Sequence, residues 1–318
     1  MSTRIQRPLA RLIAAVVLLT VAAGCGGDEL RQGSATTMTA DADTGGRPGK
    51  LVEIGAGRGL FVHCVGSGKP TVVLETGFGA DATQWQAVQP ELGHGSQVCA
   101  YDRVGTGNSI ARPGVQDARE EIADLRAWLA RERIDPPYVL AGHSYGGILA
   151  RVFAKLHPQE TAGLVLIDTM GRDGRRRTLA EWPQSQARRL REEVAATRIG
   201  DVNLAVGEAI ASSIKTLGYV PLAVIDAGRS TTLPQSPVRL RRTQKRLWAR
   251  MHVELARLSD NSVHVTALRS NHYVPSSRNG QPSVVISAVQ AVVQAARNGN
   301  RLAPCSRIFS GSDVRCPS

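Results

Sequence analysis

Gly142-His143-Ser144-Tyr145-Gly146 sets one serine midway between two glycines, with the apolar run 138–141 before it and the helix-like stretch 147–154 after it. A serine hydroxyl is a weak nucleophile. To attack a carbonyl it must stand clear of the sheet on a sharp turn, with a base nearby to take its proton. Glycines two residues to either side leave room for that turn and for close packing of the helix behind it. The serine then lies at a helix N-terminus, where free N–H groups favour negative charge growing on a substrate oxygen. The spacing therefore predicts strand, sharp turn and helix, with Ser144 as nucleophile and the backbone N–H of Tyr145 as one donor to the oxyanion.

Those residues need a scaffold. The 318 residues are 42% hydrophobic, enough for one large domain. From residue 60 strand-like and helix-like segments alternate. Strands are predicted at 60–65, 71–75, 97–101, 138–141, 163–168, 220–226 and 263–268. Helices are predicted at 118–131, 147–154 and 283–297. Asp117 and Glu120 suit a capping box for the first helix, and Ile122, Leu125 and Leu129 form its apolar stripe. Buried strands alternating with helices imply an α/β fold with a mostly parallel sheet. Residues 170–219 break the alternation and are predicted to form a cap over the strand ends, where an open α/β sheet binds its ligand.

The elbow GHSYGG, the earlier loop YDRVGTGNS, the turn TGFG and the late segment SNHY occur in an order and spacing that resemble the α/β-hydrolase family, over residues 50–298. The resemblance implies the chain order Ser, acid, His. Of seven histidines, His63 and His94 lie in earlier elements and His143 adjoins the serine. His157 ends a helix before Pro158, His252 sits in a basic amphipathic helix, and His264 lies inside a strand. His272, in a polar loop after the last strand, stands where the family places its base. The acid is less direct. Segment 227–233, where the family usually carries it, has no carboxylate. Asp168, at the end of the strand after the elbow helix, is the expected acid, and Asp226 is the alternative. Phe78 matches the family's second oxyanion donor, although Thr76-Gly77 replaces the usual His-Gly. Asp102 and Arg103 read as structural, fixing a turn near the site. Trp85 is a candidate to line the pocket, with the core as its other reading. No metal-ligand spacing occurs, and no cofactor is implied.

The chain also carries an address. Arg4, Arg7 and Arg11 precede the apolar run 12–23 and Ala22-Ala23-Gly24-Cys25, which reads as a signal peptide over 1–24. Cys25 stands at the lipidation position of a bacterial lipobox, although Ala22 replaces the more frequent Leu or Val; plain secretion is the alternative. Residues 25–49 read as a flexible tether. Export makes disulfides available. Cys305 and Cys316 flank a polar C-terminal tail, 299–318, that a bridge would pin. The family's strand order sets the strands of Cys64 and Cys99 side by side, which favours a second bridge over two buried thiols.

The formal net charge is +12, falling to +9 without residues 1–24. Arginines cluster at 172–191 and 239–246, a basic face that is either solvated or laid against anionic lipid. No nucleic-acid-binding module accompanies the charge. The expected protein is an exported, lipid-anchored serine hydrolase of small-molecule esters. A proline-type aminopeptidase or other amide hydrolase, and a surface binder without turnover, are the alternatives. A dehalogenase or epoxide hydrolase is disfavoured, because those members carry aspartate in place of Ser144.

Overall fold

The computed structural model describes residues 47–111, 113–181, 202–229, 238–309, 311 and 313–317. The expected signal peptide, Cys25 and the tether up to residue 46 lie outside the described residues, as do residues 182–201 of the expected cap and residues 230–237.

Branched and aliphatic side chains dominate the strand segments and suit a pleated surface covered on both faces. Among the described residues the strands are β1 (Lys50–Gly55), β2 (Arg58–Val65), β3 (Thr71–Glu75), β4 (Val98–Tyr101), β5 (Gln116–Asp117), β6 (Tyr138–His143), β7 (Thr161–Ile167), β8 (Val202–Asn203), β9 (Leu222–Ala227), β10 (Ser262–Ala267) and β11 (Val314–Arg315). Nine of them form one sheet in the order β1-β2-β4-β3-β6-β7-β9-β10-β11; β5 and β8 pair separately. Every neighbouring pair from β4 to β10 is parallel, and the edge pairings β1–β2, β2–β4 and β10–β11 are antiparallel. The sheet is thus the mostly parallel one expected, and the fold is that of the α/β-hydrolases.

Among the described residues the α-helices are α1 (Gln89–Gly93), α2 (Ala118–Arg131), α3 (Tyr145–Leu156), α4 (Gly174–Ala180), α5 (Leu204–Ser213), α6 (Val238–Ala256), α7 (Pro282–Asn298) and α8 (Cys305–Ile308). Successive strand residues face opposite sides and so feed two cores. On one face, Ile122, Leu125 and Trp128 of α2 and Leu149 and Phe153 of α3 pack with Val73, Leu140, Leu164 and Val224. On the other, Val285, Val289 and Val292 of α7 pack with Val72, Val139, Val165 and Ile225. The capping box on α2 forms as expected, Asp117 accepting from the N–H of Glu120 while the Glu120 carboxylate accepts from that of Asp117.

Four features depart from the sequence reading. Trp85 is fully buried in the second core beside Val88, Leu92 and Val98, so it is a packing residue and not a pocket wall. Its large apolar ring gains more from that core than from a partly wet cleft. The segment expected as tether is already held at Arg47, which donates to both carboxylate oxygens of Asp102 and lies 5.1 Å from the centre of the Phe61 ring. The extra strand β1 opens the sheet. The tail adds strand β11 to the free edge of β10, so it belongs to the sheet. Both bridges are formed: Cys64 lies directly opposite Cys99 on paired strands, and Cys305 joins Cys316. Within the segment expected as a cap, α5 packs on the starts of α2 and α3, where a Cβ on Gly207 would press on Ala118 and Ile148.

Candidate active site

β6 is wholly buried at the centre of the sheet, and the chain turns sharply out of it at Ser144. Ser144 holds φ 54° and ψ −118°, a conformation that L-residues avoid. Surrounding groups impose it. The Ser144 N–H donates to Ile167 O at 2.9 Å, and its carbonyl accepts from Gly147 N at 3.0 Å and Thr169 Oγ1 at 2.6 Å. The two glycines are required by contact: a Cβ on Gly142 would overlap Gly146 O, and one on Gly146 would overlap Glu75 O. The turn is therefore wedged between its own helix and the end of β3.

His272 reaches the serine from the loop after β10. Its Nε2 lies 3.0 Å from Ser144 Oγ, and its Nδ1 lies 2.6 Å from Asp168 Oδ2. A carboxylate only accepts, so Nδ1 carries the proton and Nε2 presents a lone pair to the serine. Asp168, just past β7, has a fully buried side chain, whereas that of His272 is 26% exposed. The second oxygen, Oδ1, accepts from Trp248 Nε1 at 2.7 Å and Ala227 N at 3.1 Å. Burial pushes this carboxyl up. The hydrogen bond and charge of His272, with His252 and Trp248, outweigh burial and hold it at about 2.

Asp226 does not meet His272. It projects onto a sheet face, where its Oδ1 accepts from His264 Nε2 at 2.8 Å and Thr266 Oγ1 at 2.9 Å, both on β10. Strand alternation accounts for this, since Asp226 follows Val224 on the face covered by α2 and α3 and does not project beyond the strand end.

Two further side chains brace the site and escaped the sequence reading. His143 Nε2 donates to the carbonyl of His272 at 2.6 Å and thereby positions the backbone of His272. Burial, with repulsion from His272, lowers the His143 pKa to about 3, so the ring stays neutral. Trp248 was hidden in the basic helix. Its one local signal was an indole four residues before the buried His252, whose Nδ1 donates to Trp248 O at 2.9 Å.

On the opposite side of Ser144, the turn 76–78 meets the start of α3, and the rings of Phe78 and Tyr145 touch edge to face with centres 5.9 Å apart. Behind them lies a buried polar cluster. Tyr101 Oη donates to Glu75 Oε1 at 2.7 Å, and Tyr145 Oη donates to Glu121 Oε2 at 2.5 Å. Arg103 sits between the two carboxylates, 3.8 Å from Glu75 and 3.3 Å from Glu121. Beside the turn, a cavity of about 330 Å³ opens between residues 79–87 and 273–277, lined by Asp81, Gln84, Tyr273 and Ser276.

Comparison with known proteins places the chain in a family and a fold. The model of the family described as "Serine aminopeptidase, S33" matches residues 66–317. The chain is 25% identical to the uncharacterised protein YqjL of Bacillus subtilis, over 74% of this chain and 87% of that one. It spans less than half the length of the next curated relatives it matches. A meta-cleavage product hydrolase from Pseudomonas fluorescens superposes with TM-score 0.54 at 18% identity, covering 79% of this chain and 98% of that one. A thermophilic esterase from Thermogutta terrifontis superposes with TM-score 0.51 at 24% identity, covering 75% and 94%. At these identities the superpositions speak for the fold.

Proposed function

The chain belongs to the serine aminopeptidase S33 family of α/β-hydrolases, and from that premise we propose that this hydrolase cleaves carboxylic esters of small molecules through an acyl-enzyme on Ser144. The observation that carries the reading is the unbroken hydrogen-bonded chain Ser144–His272–Asp168, with the outer oxygen of Asp168 also occupied. Ser144 Oγ attacks the ester carbonyl while its proton passes to His272 Nε2. The carbonyl oxygen becomes an oxyanion that accepts from the N–H groups of Tyr145 and Phe78. Collapse expels the alkoxide, which takes the proton from His272 and leaves as the alcohol. Water, deprotonated by the same nitrogen, then attacks the acyl carbon; the bond to Ser144 Oγ breaks, the serine takes the proton back from His272, and the acid leaves. Asp168 keeps the imidazole in the required tautomer and stabilises its cation.

The family's description favours a second reading, release of an N-terminal residue from a peptide. The ester reading asks less of the site, because an alkoxide leaves a tetrahedral intermediate far more readily than an amine does. Nitrophenyl esters of graded acyl length, set against a prolyl anilide, separate the two. Turnover of esters that disappears in Ser144→Ala supports the proposal. Faster cleavage of the anilide would transfer it to the aminopeptidase reading. Inertness to both, without labelling by a fluorophosphonate, would leave a ligand-binding protein.

The proposal includes export and lipidation at Cys25. The signal-like segment 1–24 supports it, as do two disulfides, which persist in oxidising compartments. Cys25→Ser should abolish incorporation of labelled palmitate into the protein; label retained by the variant, or absent from wild type, would refute lipidation at Cys25.

A further inference from the structure

Arg103 is 4% exposed and spends its guanidinium on one turn. Nη2 donates to Gly77 O at 2.7 Å, and Nη1 donates to Thr76 O at 2.8 Å and Thr76 Oγ1 at 2.9 Å. The carbonyl of Gly77 and the N–H of Phe78 are the two ends of a single planar peptide. A cation bound to the oxygen end fixes the rotation of that plane and draws electron density from the nitrogen, which makes the N–H a stronger donor. The same guanidinium reaches the other donor residue. Its Nε lies 3.3 Å from Glu121, whose second oxygen accepts from Tyr145 Oη, and its carbon lies 5.4 Å from the centre of the Tyr145 ring. The Gly77 N–H is held separately by Gln84 Oε1 at 3.0 Å, so the turn is clamped on both sides.

Resting on the acyl-enzyme reading above, we propose that Arg103 is a positioning residue of the oxyanion hole, orienting and polarising the Gly77–Phe78 peptide and tying it through Glu121 to Tyr145. Its contribution then appears only as charge develops on the substrate oxygen.

The test compares an oxygen ester with its thionoester, whose C=S sulfur fits an oxyanion site poorly. Arg103→Lys keeps the charge but cannot reach both carbonyls. It should lower kcat on the ester about 10–100-fold, somewhat less than loss of a whole donor. KM should stay within about threefold. The thionoester should lose much less, so the ester-to-thionoester ratio falls about tenfold. Should the lysine variant not fold, the charge-balanced double variant Arg103→Gln/Glu121→Gln replaces it, with the same expected fall in ratio. An equal loss on both substrates, a change confined to KM, or an unchanged kcat would overturn the proposal. Wild-type protein inert to both substrates would overturn the ester reading itself, and this proposal with it.

Discussion

At the residue scale, two aspartates of the same type end neighbouring strands and have different partners. Asp168 accepts from His272, Trp248 and Ala227, whereas Asp226 is taken up by His264 and Thr266. Asp168→Asn should lower kcat by roughly 10³–10⁴, because an amide facing Nδ1 favours the wrong tautomer. Asp226→Asn should leave kcat within about threefold and lower the melting temperature. Reversal of that pattern in steady-state kinetics would exchange the two roles. His143 makes a separate prediction from its pKa. Unfolded, it titrates near 6.5; folded, it is held at about 3 by burial. Between those values the unfolded chain binds more protons, so stability is complete above pH 6.5 and falls as the pH drops towards 3. By pH 5 the loss from this group is about 2 kcal/mol. His143→Gln keeps a donor for the His272 carbonyl and removes the titration. Its urea-unfolding free energy should therefore fall less than that of wild type between pH 7 and pH 5; parallel falls would exclude the assignment.

At the element scale, the elbow is a packing solution as much as a motif. The N-terminus of α3 lies so close to the end of β3 that only a hydrogen fits at Gly146. Gly146→Ala should therefore force α3 away from the 76–78 turn, at a cost of about 1–3 kcal/mol or more, and separate the Tyr145 and Phe78 amides. The expected outcome is a lower melting temperature together with a large loss of kcat. A stable, fully active Gly146→Ala protein would show that the two segments have slack. Trp85 makes the opposite case. Cutting it to alanine empties a core site and should cost about 3–5 kcal/mol, with KM unaffected in whatever protein remains folded.

At the scale of the whole molecule, the site depends on segments far apart in the chain, and the tail is one of them. Asp313 O accepts from Leu268 N and from Gln281 Nε2, while Gln281 Oε1 accepts from the N–H groups of Arg269 and Ser270, two residues before His272. The Cys305–Cys316 bridge, with its 11-residue separation, holds that tail in place. Replacing both cysteines by serine should destabilise the protein by about 3 kcal/mol through loop entropy. Amide exchange should also quicken at residues 268–273, and unchanged exchange there would detach the tail from the histidine loop. The sequence by itself determined what is local. Strand, turn and helix around Ser144 follow from glycine spacing and apolar runs, and the α2 capping box follows from Asp117 and Glu120. The resemblance in motif order then led to His272. Only the tertiary structure decided which aspartate His272 meets, that Trp85 belongs to the core, and that His143 and Trp248 hold His272 and Asp168. Local signals depend on backbone conformation over a few residues, which composition and spacing encode. Partners 80 to 129 residues apart, such as Trp248 with Asp168 and His143 with His272, depend on strand order and on which face each side chain takes once the sheet is assembled.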